Sequence, residues 1–277
     1  MSDNNNKITQ QSAFPRRDFL KYSAAAAAVA GAFSMGLPFG AFAAEATPKP
    51  GGVLRLGLAG GSTTDSRDPG SWADTFTFVG FSAVYNTLSE IGVDGTAIPE
   101  LAESWTSTPD ARVWTFKLRP GVTFHNGKSL EANDVVASIQ HHLGEKSTSA
   151  AKTVLGDVAT VSANGSDSVV FELKSGNADF AYVVADYHLV IMPSKDGLPD
   201  WQAGVGTGGY RLKDFEPGVR MTLERSPDYW KQGRAHFASA ELIAIADGAA
   251  RVNALVTGQV DVINKVDLKT VALLKRN

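Results

Sequence analysis

The sequence predicts a mixed α/β fold, and three observations carry that prediction. Short alternating apolar runs flank the turn dipeptides Asp94-Gly95, Pro109-Asp110, Asn164-Gly165 and Pro217-Gly218, the pattern of β-hairpins. Between the hairpins lie stretches with apolar residues at helical spacing, notably Thr75–Asn86 and Ala132–Leu143. The chain has no cysteine, so nothing rests on disulfides and the core must come from packing alone.

Taken in order, Gly52–Ala59 reads as a strand, followed by a polar Gly/Ser/Thr loop from Gly60 to Gly70 that contains Asp68-Pro69. Thr75–Asn86 is predicted helical, with Phe76, Val79 and Ala83 on one side. Leu88–Ile98 and Trp105–Leu118 are predicted hairpins; in the second, Trp114, Phe116 and Leu118 share a face. Ala132–Leu143 is a helix burying Val135, Val136, Ile139 and Leu143. Glu131 precedes it, so its N-cap is expected to be weak or to move to Ser129. Val158–Ala163 and Ser168–Leu173 form a hairpin, Asp179–Ala185 a short helix and Val190–Met192 a short strand ended by Pro193. Gly206-Thr207-Gly208-Gly209 opens a further hairpin, Tyr210 to Arg225, that turns where proline presets φ and glycine accepts a positive φ. Glu241–Ala246 and Gln259–Ile263 read as strands, Ala249–Thr257 as a helix, and Val266–Lys275 begins another.

Residues 1–44 read as a targeting segment. Pro15-Arg16-Arg17-Asp18-Phe19-Leu20-Lys21 resembles the twin-arginine export motif, with Arg16, Arg17, Phe19 and Leu20 in its key slots. An Ala-rich apolar stretch follows, and Ala41-Phe42-Ala43 offers a small-x-small cleavage site at Ala41 and Ala43. An uncleaved membrane anchor is the alternative, disfavoured because alanine and glycine insert weakly. The twin-arginine machinery carries folded cargo, so the expected destination is the periplasm, reached after folding. The chain holds 26 Lys+Arg and 29 Asp+Glu; setting aside the four basic and two acidic residues before Ala44 leaves 22 and 27, a net charge of −5. That balance, without any basic stripe, argues against nucleic acid as a partner.

The order of short motifs resembles the family 5 extracytoplasmic solute-binding proteins of peptide and nickel ABC importers. Gly206–Trp230 is similar to the family pattern G-T-G-P-Y-x-L, a hairpin, then L-x-R-N-P-x-Y-W, with Gly209 for proline and Ser226 for asparagine. Asp68-Pro69, Pro99–Trp105, Trp114–Arg119, Gly121–Gly127, Asn133–Val136 and Gly258–Asp261 match further elements in the family's order. The resemblance implies a periplasmic binding protein type II-like fold. Its lobe I would span 51–85 plus 204–265 and its inserted lobe II 86–203. A lobe III would begin at 266–277, so the chain is expected to lack that lobe. It also implies a monomer that delivers a peptide or small-molecule ligand to a permease in the inner membrane, with no cofactor. A micromolar complex represents about −8 kcal/mol; without the second wall the chain alone is expected to bind weakly. A non-peptide solute (nickel chelate, opine or sugar) and an inert or scaffold-like fragment are the alternatives.

For ligand contacts the resemblance points to the segment after Asp68-Pro69, namely Trp72, Ala73, Asp74 and Thr75, whose backbone would pair with a peptide like an added strand. Trp72 has a competing reading as a core residue. The second candidate for ligand contact is the end of the 259–263 strand, where Asn264 would sit at the hinge. Gly204–Gly209 fits G-x-G-x-x-G, but a loop precedes it and a strand follows, the wrong context for a dinucleotide site. His141 and His142 are adjacent and diverge by about 100° on a helix, which disfavours a metal pair and suggests a solvated face. His125 is read as structural. No G-x-S-x-G elbow, cysteine nucleophile or paired carboxylates support catalysis, so no catalytic residue and no metal ligand is assigned.

Overall fold

The structure, a computed structural model, describes residues 48–145 and 147–274. The expected export signal, including Arg16, Arg17, Phe19, Leu20, Ala41 and Ala43, lies outside them.

Two sheets organise the described residues. The first has five strands: β1 (Val53–Leu58), β10 (Tyr210–Glu216), β11 (Arg220–Arg225), β12 (Ser239–Ala244) and β13 (Val262–Ile263), in the order β10-β11-β12-β1-β13. The β10–β11–β12 ribbon is antiparallel, whereas β1 runs parallel to both β12 and β13. Helix α1 (Thr75–Val84) packs on β10 and β12, and α5 (Gly248–Val256) on β1 and β13. A core of Leu58, Phe76, Phe81, Met221, Leu223 and Leu242 fills the space between α1 and the sheet. It is close-packed: a Cβ added to Gly80 of α1 would lie 2.5 Å from Met221 Sδ.

The second sheet is antiparallel, with β4 (Ala102–Ser107), β5 (Val113–Leu118), β6 (Val158–Ala163) and β7 (Ser168–Leu173) in the order β4-β5-β7-β6. Trp114, Phe116 and Leu118 of β5 all point inward, as the alternation predicts. Facing them is α2 (Ala132–Leu143), which buries Val135 and Ile139. Small hairpins β2–β3 (Ser89–Ile91, Ala97–Pro99) and β8–β9 (Ser194–Lys195, Leu198–Pro199), short helices α3 (Ala151–Val154) and α4 (Phe180–Val183), and α6 (Leu268–Leu274) complete the fold.

Several elements differ from the sequence reading. α1 stops at Val84 because Tyr85 turns to extended backbone, and Tyr85 and Asn86 become a crossing between the two sheets. Val190–Met192 is buried but not a strand: the amide of Ile191 bonds to the Asn86 carbonyl, and no ladder forms. The strand predicted over Gln259–Ile263 is only Val262–Ile263, since the amides of Gln259 and Val260 still turn back to the Ala254 carbonyl. The N-cap of α2 stays at Glu131 and does not move to Ser129; the Glu131 side chain makes no capping bond, the weak cap expected from the sequence. The fully buried Asp134 carboxylate reaches back to the Glu131 amide at 3.0 Å. Lys128 Nζ (2.6 Å) and Ser194 N (2.7 Å) and Oγ (2.8 Å) complete its partners.

Candidate functional site

In open α/β sheets, ligands bind at the carboxyl ends of the parallel strands. Here β12, β1 and β13 end together, at Ala244, Leu58 and Ile263. The chain leaving β1 passes through Gly60 and Gly61, both at positive φ (108° and 94°). A side chain at Gly60 would collide with Asp74 Cγ (2.6 Å), and one at Gly61 with Ala244 Cβ (2.5 Å).

Two of the sequence-derived candidates converge on this short stretch. The Asp74 carboxylate caps α1 by accepting from Thr77 N at 2.9 Å, and its second oxygen accepts from Gly61 N at 2.8 Å. Asn264 Oδ1 accepts from Ala59 N at 2.8 Å. The side chains of both are therefore engaged in shaping the strand exits. A third residue, which the sequence reading missed, joins them. Arg251 of α5, only 5% exposed, donates to the main-chain carbonyls of Ile245 (2.7 Å), Ala246 (2.8 Å) and Asn264 (3.3 Å). The next residue, Lys265, sits in the left-handed region at φ 51°.

Segment 66–75 crosses the same edge. Asp68 Oδ1 accepts from Gly70 N and opens a 3₁₀ turn over Pro69–Ser71. Trp72 is 1% exposed; its indole stacks on Phe81 at 4.8 Å and its Nε1 donates to the Ser66 carbonyl. Its side chain is thus part of the core, the competing reading noted from sequence. Ala73 is exposed, and among the described residues its main chain makes no hydrogen bond. Thr75, partly buried, is the first residue of α1.

Histidines hold this segment from outside, and here the expectation of a solvated face for His141 and His142 is corrected. α2 is covered on more than one side, so adjacent residues diverging by about 100° both meet protein. His141 Nε2 bonds to Asp68 Oδ1 at 2.8 Å. His142 is fully buried, with Nδ1 2.6 Å from Ser149 Oγ. Burial pushes the His142 imidazole down to about 4, so it is neutral near pH 7. Burial works against the Asp68 anion, yet the bonds from His141 and Gly70 hold its carboxyl below the usual range. His188, 6% exposed, places Nδ1 2.7 Å from Asp186 Oδ1 and Nε2 2.9 Å from the Trp72 carbonyl. Asp68, Ser71, His141 and Ser149 line a small polar hollow of about 280 Å³ beside this segment.

A second concavity, of about 360 Å³, opens where the two sheets join. Its floor is Glu100, 2% exposed, whose Oε1 accepts from Asn86 Nδ2 at 2.5 Å and whose other oxygen contacts Lys231. Lys231 also pairs with Glu90 at 2.7 Å. Two carboxylates thus share one ammonium, and burial drives Glu100 up to about 7 despite Lys231. Asn86 Oδ1 accepts from Thr207 Oγ1 at 2.9 Å. Nearby, His125 Nε2 donates to the Gly208 carbonyl at 2.9 Å while Nδ1 accepts from Gly206 N, the structural role expected of it. No local pattern announces that Asn86, Glu100 and Lys231 meet.

Comparison with known proteins places this geometry. Residues 96–277 match the model for bacterial extracellular solute-binding proteins, family 5. Residues 14–33 match the signal sequence of the twin-arginine translocation pathway, so the chain carries an export signal of that route, to the periplasm. The periplasmic oligopeptide-binding protein OppA of Escherichia coli is 30% identical over 201 residues, covering 62% of this chain and 36% of the relative. The structure of the binding protein AgaA with agropinic acid, from A. tumefaciens, aligns with a TM-score of 0.74 and 28% identity, over 82% of this chain and 46% of the other. DppA of Helicobacter pylori, in complex with a peptide, shares the fold at a TM-score of 0.73 and 24% identity, over 83% of this chain and 49% of that one. The chain therefore spans less than half the length of each of these relatives.

Proposed function

The chain belongs to the family 5 bacterial extracellular solute-binding proteins, and on that premise we propose that it serves as the substrate-binding component of an ABC importer for di- or oligopeptides. In this reading the five-stranded sheet, from 51–85 and 204–265, is lobe I and the residues from 86 to 203 are lobe II. The separate cores of the two sheets support that division, with Val190 and Met192 of the second part packing into the core of the first. The protein would act as a monomer that presents its ligand to a permease in the inner membrane.

One observation carries the peptide reading. Ala73 is exposed, its N–H and C=O make no bond among the described residues, and its neighbours on both sides are fixed. Trp72 is anchored in the core and Asp74 caps α1. A rigid segment with one free donor and one free acceptor suits main-chain pairing with an extended peptide, which is tolerant of side chains. Asn264 contributes by holding the exit of β1 through its Oδ1.

The test is a thermal-shift screen on the protein from its full reading frame. Alanine peptides of two to five residues are compared with nickel–histidine and with agropinic acid. A peptide at a hundred times its Kd should stabilise by about 2.7 kcal/mol, and N-methylation of one internal amide should abolish the shift. Stabilisation by the nickel complex or agropinic acid with none by any peptide refutes the reading.

A further inference from the structure

We propose that His188 is a positioning residue for the ligand-facing segment: its ring, protonated on both nitrogens, is a strut between the Asp186 carboxylate and the main-chain carbonyl of Trp72. The inference rests on the reading of Trp72–Thr75 as ligand-facing, but its test does not require a ligand.

Donors and acceptors around the ring fix where its protons sit. A carbonyl oxygen only accepts, so the 2.9 Å contact to Trp72 O requires a proton on Nε2. On the other side, Nδ1 lies 2.7 Å from Asp186 Oδ1. Burial disfavours the Asp186 anion, but its bonds from the His188 ring and amide hold the carboxyl below the usual range. A bare Nδ1 would therefore press a lone pair against an anion at hydrogen-bond distance. Both contacts are favourable together only when both nitrogens carry protons. The ring is 6% exposed, so little water competes.

The surrounding groups agree with a charged ring. His188 is faced by Asp186 and by Tyr187, whose ring centroid is 3.9 Å away. The charges of His142, from α2, and of Asp186 also bear on one another, as do those of His142, His141 and Asp68. His142 is neutral, so two carboxylates, Asp68 and Asp186, face two imidazoles, His141 and His188. Segment 68–72 is thus held at its start through Asp68 and at its end through the Trp72 carbonyl. The strut needs two protons. Raising the pH removes one; the Asp186 anion retains the proton on Nδ1, so Nε2 is left bare against the Trp72 carbonyl and the residue that anchors Ala73 is released.

The experiment uses the exported protein labelled with ¹⁵N-histidine. Long-range ¹H–¹⁵N spectra are recorded between about pH 5 and pH 9, where imidazoles titrate, alongside amide exchange of residues 72–78. The expected result is a His188 with two N–H groups at the acid end. Its loss of one proton should coincide with at least about a tenfold loss of protection at the hydrogen-bonded amides of 72–78, measured against the unstructured rate at each pH, the loss of one charge-assisted hydrogen bond. His188→Gln, which donates to the carbonyl but cannot be charged, should make protection in 72–78, taken relative to the exchange rate of an unstructured chain at the same pH, independent of pH; His188→Phe should lower that protection at every pH. A His188 with a single proton throughout the range, or protection in 72–78 that ignores its titration, overturns the proposal. The wild-type spectra decide the matter even if a variant does not fold.

Discussion

The most demanding prediction concerns Glu100→Gln. Glu100 is buried against Asn86 and shares Lys231 with Glu90. Its folded-state value of about 7 lies above the 4.5 of an unperturbed glutamate. A carboxyl raised in this way keeps its proton in the folded chain after the unfolded chain has lost it. Stability from Glu100 is therefore greatest below about pH 4.5 and falls as pH rises to about 7. The displacement, taken at about 1.4 kcal/mol per unit, corresponds to about 3 kcal/mol. His142 opposes this over the same range, because a histidine held neutral by burial loses stability as pH falls from 6.5 toward 4. The wild-type curve alone can thus look flat, and the comparison with a variant isolates the carboxyl. Glutamine resembles the protonated acid, so Glu100→Gln and wild type should be nearly equal in stability at pH 4.5. By pH 8 the variant should have gained about 3 kcal/mol relative to wild type. Urea titrations at a series of pH values with unchanged m-values give the difference directly. A wild type that gains on the variant as pH rises would mean that Lys231 outweighs burial and holds Glu100 ionised.

Four other outcomes are expected. His142→Gln should remove most of the acid-side loss between pH 6.5 and 4, up to about 3 kcal/mol, in the same titrations. Gly206→Ala should destabilise by about 3 kcal/mol by calorimetry, because its Cβ would lie 2.1 Å from the Val84 carbonyl. Gly165→Ala, at a turn with φ 75° and open space, should cost only about 1 kcal/mol. Arg251→Lys keeps the charge but loses the fork that spans Ile245, Ala246 and Asn264, at a cost of about 1–3 kcal/mol. Amide exchange should then rise first at 264–268; a uniform rise across the chain would contradict the assigned role.

Local rules made much of this fold legible. Alternation in Trp114–Leu118 gave the correct inner face, and the Asn-Gly and Pro-Gly turns located two hairpins, because turn chemistry and pleat act within a few residues. Failures arose where distant contacts decided the outcome. Val190–Met192 has strand composition but meets a crossing residue, Asn86, where no strand edge is available. At α2 the bond back from Asp134 to the Glu131 amide went unread; the other partners of Asp134 come from Lys128 and Ser194. At the candidate site, family resemblance singled out Trp72–Thr75 and Asn264, and the structure sets Asp74 and Asn264 on one turn. Arg251 was invisible because its partners are carbonyls, which carry no sequence signature, and so was the contact of His188 with the Trp72 carbonyl.

The register of β1 carries a consequence for how the protein is made. β1 begins just after the export signal, yet its parallel neighbours are β12 and β13, close to two hundred residues downstream. Pairing over such separations is slow and closes only after the intervening chain is available. The first strand to leave the ribosome must therefore wait, unpaired, until residues 239–263 have been synthesised. A chain cut off before residue 239 would leave β1 without either parallel neighbour, so this edge of the fold depends on segments far along the sequence.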